Sequence, residues 1–284
     1  MRASRRLVSL VAATAVAITG CSGTFTLLGP VHSVAVTSTP AITPLPTGGK
    51  FDYQLGGDYT PPAGVTIVTR DSTGTPAAGL YNICYLNAFQ TQSEDKKFWL
   101  TQHPSLVLRT KKGKPIYDPG WPDEMILDVS TSAKRAAIAK VQDETIDLCQ
   151  TKGFNAVEFD NLDSYSRSHK KFTLKADIAE ATLLTAHAHS DGLAAGQKNT
   201  TELGSRGKDD IGFDFAMAEE CYRYDECAAY TSVYDASVID VEYTDDLRGT
   251  FARDCAAPSI PPMTILRDVN LVTPTSKHYV YQSC

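Results

Sequence analysis

Acidic side chains are concentrated in one short stretch of the chain, residues 156–163, which reads Ala-Val-Glu-Phe-Asp-Asn-Leu-Asp. Its apolar residues predict a β-strand, and Glu158 and Asp160 lie two residues apart, so both side chains point to the same face. Carboxyl groups paired in this way can act as nucleophile, general base or general acid. The alternative is structural, because carboxylates at strand ends often cap the next helix or pair with a lysine such as Lys198.

Four other predicted strands also end in polar side chains. These are Asp128, then Lys198 with Asn199, then Glu219 with Glu220, and finally Glu242 with Tyr243. Each one taken alone is explained by capping or ion pairing. Because parallel strands end at the same edge of a sheet, the group together indicates one common site at that edge.

Short apolar runs alternate with helical patterns downstream of residue 50. Predicted strands cover residues 51–55, 66–68, 81–87, 125–129, 156–160, 193–198, 213–218, 238–243 and 264–267. Residues 133–150 and 174–190 have helical spacing, and each is followed by a glycine that favours a helix end. This alternation predicts an α/β fold with a parallel sheet, and the number of strands fits a (β/α)8 TIM-type barrel better than an open sheet.

The N-terminus is typical of an export signal. Arginines at positions 2, 5 and 6 precede an uncharged apolar stretch, and residues 18–21 resemble a bacterial lipobox ending in Cys21. We therefore expect a signal peptide at residues 1–20, lipidation of Cys21, and a Thr/Ser/Pro-rich linker at 21–49 before a catalytic domain at 50–284. Ordinary signal cleavage, with Cys21 as a stray thiol, is the alternative.

Seven cysteines are present, and lipidation of Cys21 would leave an even number for pairing in an oxidising compartment. Six cysteines allow fifteen pairings. We predict Cys84 with Cys149, Cys221 with Cys227, and Cys255 with Cys284. No C-x-x-C pair occurs, and we expect neither a metal nor a cofactor.

The charge balance excludes a typical nucleic-acid partner. The chain has 27 basic and 33 acidic side chains, and removal of the three N-terminal arginines would change the net charge from −6 to −9. A nucleic-acid-binding protein needs a basic face to displace phosphate counterions. An acidic protein is better suited to a cationic partner.

Five motifs occur in an order that resembles glycoside hydrolase family 114. They are residues 120–124 (Gly-Trp-Pro-Asp-Glu), 127–128 (Leu-Asp), 158–165 (Glu-Phe-Asp-Asn-Leu-Asp-Ser-Tyr), 196–199 (Gly-Gln-Lys-Asn) and 219–227 (Glu-Glu-Cys to Asp-Glu-Cys). The resemblance implies a barrel enzyme that cleaves α-1,4-linked galactosamine polymers, with Asp160 and Glu219 as the catalytic carboxylates.

The same resemblance, together with residue chemistry, suggests a set of substrate-binding residues. Aromatic rings can stack on sugar faces, carboxylates can attract the ammonium of deacetylated galactosamine, and amides can bind hydroxyls. We expect these roles for Tyr85, Trp121, Asp128, Glu158, Asn161, Asp163, Tyr165, Lys198, Asn199, Glu242 and Tyr243.

The expected protein is a monomer on the outer face of the cell membrane, attached through its lipid, with a cationic amino-sugar polysaccharide as substrate. Two alternatives remain open at this stage. The chain could hydrolyse another α-linked polysaccharide, or it could be a catalytically inactive carbohydrate-binding lipoprotein.

Overall fold

A computed structural model describes residues 40–284 of the chain. Cys21, the expected signal peptide and the first part of the expected linker lie outside these residues. No helix in the described part is long and apolar enough to cross a membrane.

Eight parallel strands form a barrel-shaped sheet in chain order, and a ninth strand pairs antiparallel with the eighth. The strands are β1 Lys50–Gln54, β2 Val65–Asp71, β3 Tyr81–Asn87, β4 Ala156–Asp160, β5 Ala194–Lys198, β6 Phe215–Glu219, β7 Val238–Tyr243, β8 Met263–Arg267 and β9 Tyr281–Ser283. The helices are α1 Lys96–Gln102, α2 Ser132–Lys152, α3 Ser164–Arg167, α4 Leu174–Ser190, α5 Cys227–Tyr234 and α6 Phe251–Asp254. The (β/α)8 TIM-type architecture predicted from the sequence is confirmed.

The two long helices end where the sequence predicts. α2 begins after Thr131, whose side chain accepts a hydrogen bond from the Lys134 N–H, and it ends at Gly153 in the left-handed conformation (φ 92°). A glycine there avoids the steric cost that a Cβ atom would bring. α4 covers the predicted residues 174–190.

One predicted strand is wrong. Residues 125–129 do not join the barrel, but lie in the long connection between β3 and α2, where single antiparallel bridges link them to Gln90, Val107 and Tyr117. Met125, Ile126 and Leu127 are fully buried there. A short apolar run indicates burial and extension, and it does not reveal which layer of the protein buries it.

Alternation along each strand separates two apolar cores. The barrel interior contains Phe51, Tyr53, Phe215, Met217 and other inward-facing residues, whereas a second cluster packs the outer strand faces against the helices. Gly196 on β5 permits this interior packing, because a Cβ atom there would lie 2.4 Å from the Phe215 ring.

The three predicted disulfides are present. Cys84–Cys149 links β3 to α2, Cys221–Cys227 closes the loop after β6, and Cys255–Cys284 ties the chain end to the segment after α6. The second and third of these bonds therefore constrain the segments that adjoin strands β6 and β8.

The segment from residue 40 to 49, assigned to the linker from its composition, packs on the barrel. Leu45 is buried in the interior core at the amino-terminal end of the strands. The Tyr81 hydroxyl donates to the Thr43 carbonyl (2.9 Å), and Pro40 lies against Gly192. This segment covers the end of the barrel opposite to the strand ends that carry the acidic residues.

A buried ion pair closes the seam between β1 and β8, where the two strands form no backbone ladder. Arg267 and Asp52 are both fully buried, and Arg267 Nη1 lies 3.1 Å from Asp52 Oδ1. The same guanidinium donates to the carbonyls of Tyr53, Val272 and Val280. One side chain thus supplies hydrogen bonds that strand pairing would supply elsewhere in the sheet.

Replacing Arg267 should therefore destabilise the barrel strongly. Arg267→Met leaves the Asp52 carboxylate buried without its cation, so we expect the free energy of unfolding to fall by about 3–5 kcal/mol. Urea unfolding followed by circular dichroism measures this change. Arg253→Met, on the exposed face of α6, is the control, and a loss below about 1 kcal/mol for Arg267→Met would contradict the assignment of the seam.

Candidate active site

The carboxyl-terminal ends of β4, β5 and β6 meet around one buried lysine. Lys198 is 2% exposed, and its Nζ lies 3.5 Å from Glu158 Oε1, 3.6 Å from Asp160 Oδ2 and 3.2 Å from Glu219 Oε2. The three carboxylates are widely separated in sequence but share this ammonium. The prediction that the strand ends converge on one site therefore holds for these strands.

The three carboxylates differ in their access to solvent. The side chain of Glu158 is completely buried, while those of Asp160 and Glu219 are 20% and 26% exposed. Asp160 and Glu219 line a cleft of about 520 Å³, and Glu158 lies beneath it. Asp160 and Glu219 are therefore accessible to a substrate, whereas Glu158 contacts Lys198 from below the cleft.

Tyrosine hydroxyls and N–H groups of asparagine residues orient the two partly exposed carboxylates. Asp160 accepts hydrogen bonds from the Tyr85 hydroxyl (2.7 Å) and from the Asn161 N–H (2.7 Å). Glu219 accepts from the Tyr243 hydroxyl (2.5 Å) and from Asn199 Nδ2 (3.1 Å). Each carboxylate is thus oriented by donors from its own strand end or from a neighbouring strand.

The backbone turns sharply at all three strand ends. Asn161, Asn199 and Glu220 directly follow Asp160, Lys198 and Glu219, and their φ angles are 64°, 48° and 58°. Asparagine tolerates this left-handed conformation better than most residues, but for Glu220 it is unfavourable. Strain of this kind persists where surrounding structure imposes it, and it is concentrated at functional sites.

Burial and neighbouring charges together shift the pKa values of the groups at the cleft floor. Burial lowers the pKa of Lys198, but the three carboxylates outweigh it and hold that pKa well above its ordinary value. Burial raises the pKa of Glu158 to about 7, although Lys198 and the Tyr53 hydroxyl (2.8 Å) both oppose the rise. Its second oxygen, Oε2, has no hydrogen-bond partner within the described residues, which adds to the cost of ionisation.

A second charged group forms one wall of the cleft around Arg167. Its guanidinium lies 2.6 Å from both Asp118 and Asp163 and donates to Asn161 Oδ1 (3.0 Å). Asp163 therefore lines the cleft, as predicted, but it is paired with an arginine. Sequence reasoning missed Arg167 because a single arginine after a strand has no distinguishing pattern.

Most of the predicted substrate-binding residues lie at the cleft. Those that line it are Tyr85, Trp121, Asn161, Asp163, Lys198, Asn199 and Tyr243. The structure also adds residues that the sequence analysis did not select, including Asp71, Glu124 and the loop residues Val269–Leu271. Glu124 belongs to the motif at residues 120–124, and that motif was the sequence feature that could have identified it.

Four predicted binders do not line the cleft, and one of them, Glu158, lies beneath it. Asp128 pairs with Lys134 and Ser130 at the start of α2, because its segment is not a barrel strand. Glu242 faces outward from β7 and accepts the N–H groups of Tyr222 and Arg223. Tyr165 packs its ring on the outer core.

Two groups of residues in the described part have metal-ligand spacing. Cys221, Cys227 and Asp240 form one, but the two cysteines are joined as a disulfide. Asp147, His187 and Asp191 form the other, on the outer surface between α2 and α4. Neither group lies at the cleft.

A parallel barrel with two carboxylates in a cleft at its carboxyl-terminal face is an arrangement found in glycoside hydrolases. The chain belongs to glycoside-hydrolase family GH114, whose family model matches residues 32–284. The resemblance noted in the sequence is thereby confirmed. A comparison with curated protein sequences gave no match.

Solved structures with the same fold include Ega3 from Aspergillus fumigatus, in complex with galactosamine. It has a TM-score of 0.68 and 21% identity, and the match covers 87% of this chain and 100% of Ega3. The glycoside hydrolase domain of PelA from Pseudomonas aeruginosa has a TM-score of 0.53 and 12% identity, covering 82% and 98% of the two chains. At these identities the likeness establishes the fold.

Glu158 should make the stability of the protein depend on pH. A carboxyl group whose pKa is higher in the folded state contributes stability that is complete below its ordinary pKa of 4.5 and is lost as the pH rises through about 7. Glu158→Gln removes this titration. We expect the variant to gain stability relative to wild type between pH 4.5 and 7.5, by an amount on the order of 3 kcal/mol.

Unfolding in urea at a series of pH values tests this expectation. Glu144→Gln, at an exposed position on α2, is the matched control and should follow the wild-type curve. A difference between Glu158→Gln and wild type that does not change with pH would show that Glu158 does not titrate in this range.

Proposed function

We propose that the chain is an endo-acting hydrolase of α-1,4-galactosaminidic bonds in a partially deacetylated galactosamine polymer. The observation that carries the proposal is the convergence of Asp160 and Glu219 on Lys198 at the floor of an acidic cleft. Glycoside cleavage needs two carboxyl groups on either side of the scissile bond.

Asp160 is the proposed nucleophile and Glu219 the proposed acid/base. Their closest oxygens to Lys198 Nζ are 3.6 and 3.2 Å from it, so these two oxygens are at most about 7 Å apart. This limit includes the separation of about 5 Å typical of retaining enzymes and only the lower end of the inverting range. This limit is compatible with retention, and we propose a covalent glycosyl intermediate on Asp160.

The charge of the cleft supports a cationic substrate. Its lining contains two basic side chains, Arg167 and Lys198, and six carboxylates: Asp71, Asp118, Glu124, Asp160, Asp163 and Glu219. Such an excess attracts a polymer that carries ammonium groups and raises its rate of association. The galactosamine bound to Ega3 agrees with this chemistry.

Aromatic side chains supply the apolar part of sugar recognition. Trp121 lines the cleft and is 61% exposed, so its ring is available to stack on a sugar face. Tyr85 and Tyr243 use their hydroxyls on Asp160 and Glu219, and we assign them to positioning these carboxylates rather than to stacking.

Removing either carboxylate should stop turnover. Asp160→Asn and Glu219→Gln should each reduce hydrolysis of partially deacetylated galactosaminogalactan by at least about two orders of magnitude, because each removes a group required in the transition state. Release of reducing ends measures the rate. Glu220→Gln, adjacent in sequence but not part of the cleft lining, is the control, and near-normal turnover by either cleft variant would refute the assignment.

The same assay separates the two alternatives. Release of reducing ends from an α-glucan but not from the galactosamine polymer would indicate another α-linked substrate. Binding of the polymer by wild-type protein without cleavage would indicate a carbohydrate-binding lipoprotein that lacks turnover. The intact pair of cleft carboxylates favours hydrolysis over binding without turnover, and the acidic lining favours the amino-sugar polymer over a neutral α-glucan.

Export and lipid anchoring form a second part of the proposal. Three disulfides fit a protein that folds in an oxidising compartment. We expect Cys21→Ala to move the protein from the membrane fraction to the soluble fraction, as measured by fractionation and immunoblotting. Cys21→Ala protein that stays with the membrane would exclude a lipid on Cys21 as the anchor.

A further inference from the structure

Most of the acidic groups in and below the cleft contact a basic side chain. Lys198 contacts Glu158, Asp160 and Glu219, and Arg167 contacts Asp118 and Asp163. These two cations account for five carboxylates in and below the cleft. Two carboxylates of the cleft lining, Asp71 and Glu124, remain without a basic partner among residues 40–284.

Glu124 lines the cleft but has no basic side chain within 4 Å among residues 40–284. Asp71 also lacks one, but three donors from Thr73 and Gln92 occupy its two oxygens. Glu124 accepts one hydrogen bond, from Asn87 Nδ2 to Oε2 (2.8 Å). Its Oε1 therefore remains available to a ligand in the cleft.

The position of Glu124 is fixed from both sides. Asn87 Oδ1 accepts from Asn161 Nδ2 (2.8 Å), and Asn161 directly follows Asp160, so a chain of two amides ties Glu124 to the nucleophile's strand end. The Glu124 N–H also donates to the Trp121 carbonyl (2.9 Å). One tight turn thus brings a carboxylate and an exposed indole ring to the same wall of the cleft.

The surroundings of Glu124 make a cation favourable there. Burial is the main cause that raises its pKa to about 7, and the nearby carboxylates of Asp160, Asp118 and Glu94 raise it further, while only the hydrogen bond from Asn87 opposes the rise. A carboxylate in these conditions gains more from a cationic ligand than one that already has a partner.

We propose that Glu124 forms an ammonium-binding subsite, which holds the 2-amino group of a galactosamine unit beside Asp160. This inference rests on the proposed function and specifies how the cleft distinguishes deacetylated from acetylated sugar. An ammonium forms a charge-assisted hydrogen bond with Oε1. An N-acetyl group is neutral and bulkier, and it leaves the carboxylate uncompensated.

Glu124→Gln tests the subsite with little change in shape, because the amide oxygen can still accept from Asn87. For a fully deacetylated galactosamine polymer we expect kcat/KM to fall about 10- to 100-fold, mostly through KM, as expected for loss of one hydrogen bond between charged groups. For the fully N-acetylated polymer we expect a change of less than about threefold. Asp123→Asn, at the adjacent exposed position, is the matched control and should behave as wild type on both polymers.

Three results would overturn the proposal. An equal loss on both polymers, or a loss confined to kcat, would assign Glu124 to proton transfer or to positioning of Asp160. Unchanged kinetics on both polymers would show that the carboxylate is not used.

Binding measurements keep this test separate from the proposed function. In the Asp160→Asn background, calorimetry with deacetylated and N-acetylated galactosamine oligosaccharides compares affinities with and without Glu124→Gln. If wild-type protein cleaved neither polymer, the hydrolase proposal would fail. The subsite would still be supported by weakened binding of the deacetylated oligosaccharide alone and overturned by equal binding of both.

Discussion

The ammonium group of Lys198 is the interaction on which the active site depends. A buried ammonium is several kcal/mol less stable than a solvated one unless anions surround it, and buried carboxylates have the same requirement for cations. β4, β5 and β6 satisfy both requirements together, since the carboxylates of Glu158, Asp160 and Glu219 lie within 3.6 Å of the same nitrogen. Three neighbouring strand ends are thereby held in one relative position.

The same principle operates at the barrel seam. β1 and β8 have no backbone ladder, and Arg267 bridges the gap through Asp52 and three carbonyls. At each place a tyrosine hydroxyl also donates a hydrogen bond to a carboxylate that pairs with the cation. Tyr53 donates to Glu158 beneath the cleft, and Tyr59 donates to Asp52 at the seam. The barrel interior is therefore apolar at its amino-terminal end and a hydrogen-bonded ionic layer at its carboxyl-terminal end, where the cleft opens.

Sequence patterns predicted the barrel and the residues at its centre, since eight of the nine predicted strands form β1–β8 and Asp160 and Glu219 do meet. Alternation also contained information that the residue-type argument overlooked. Glu242 and Tyr243 are adjacent on β7, so they cannot both face the interior, and it is Tyr243 that contacts Glu219. The prediction that Asp128 binds substrate was wrong for a different reason, because the apolarity of residues 125–127 does not specify which layer of the protein buries them. Glu124 lies on an irregular turn, and its place in the cleft depends on tertiary contacts with Asn87 that no local pattern encodes.

This arrangement leaves the cleft floor with an excess of negative charge. One ammonium faces three carboxylates, and burial raises the pKa of Glu158 to about 7 even though Lys198 and the Tyr53 hydroxyl oppose the rise. With all three carboxylates ionised, a second buried lysine would change the net charge of the floor from −2 to −1, and it would reduce the attraction of the site for a proton and for a cationic sugar. Glycoside cleavage needs a proton for the departing oxygen, and an amino-sugar polymer brings positive charge of its own. A floor with fewer cations than carboxylates is therefore suited to both, and the excess of carboxylates extends along the cleft wall to Glu124.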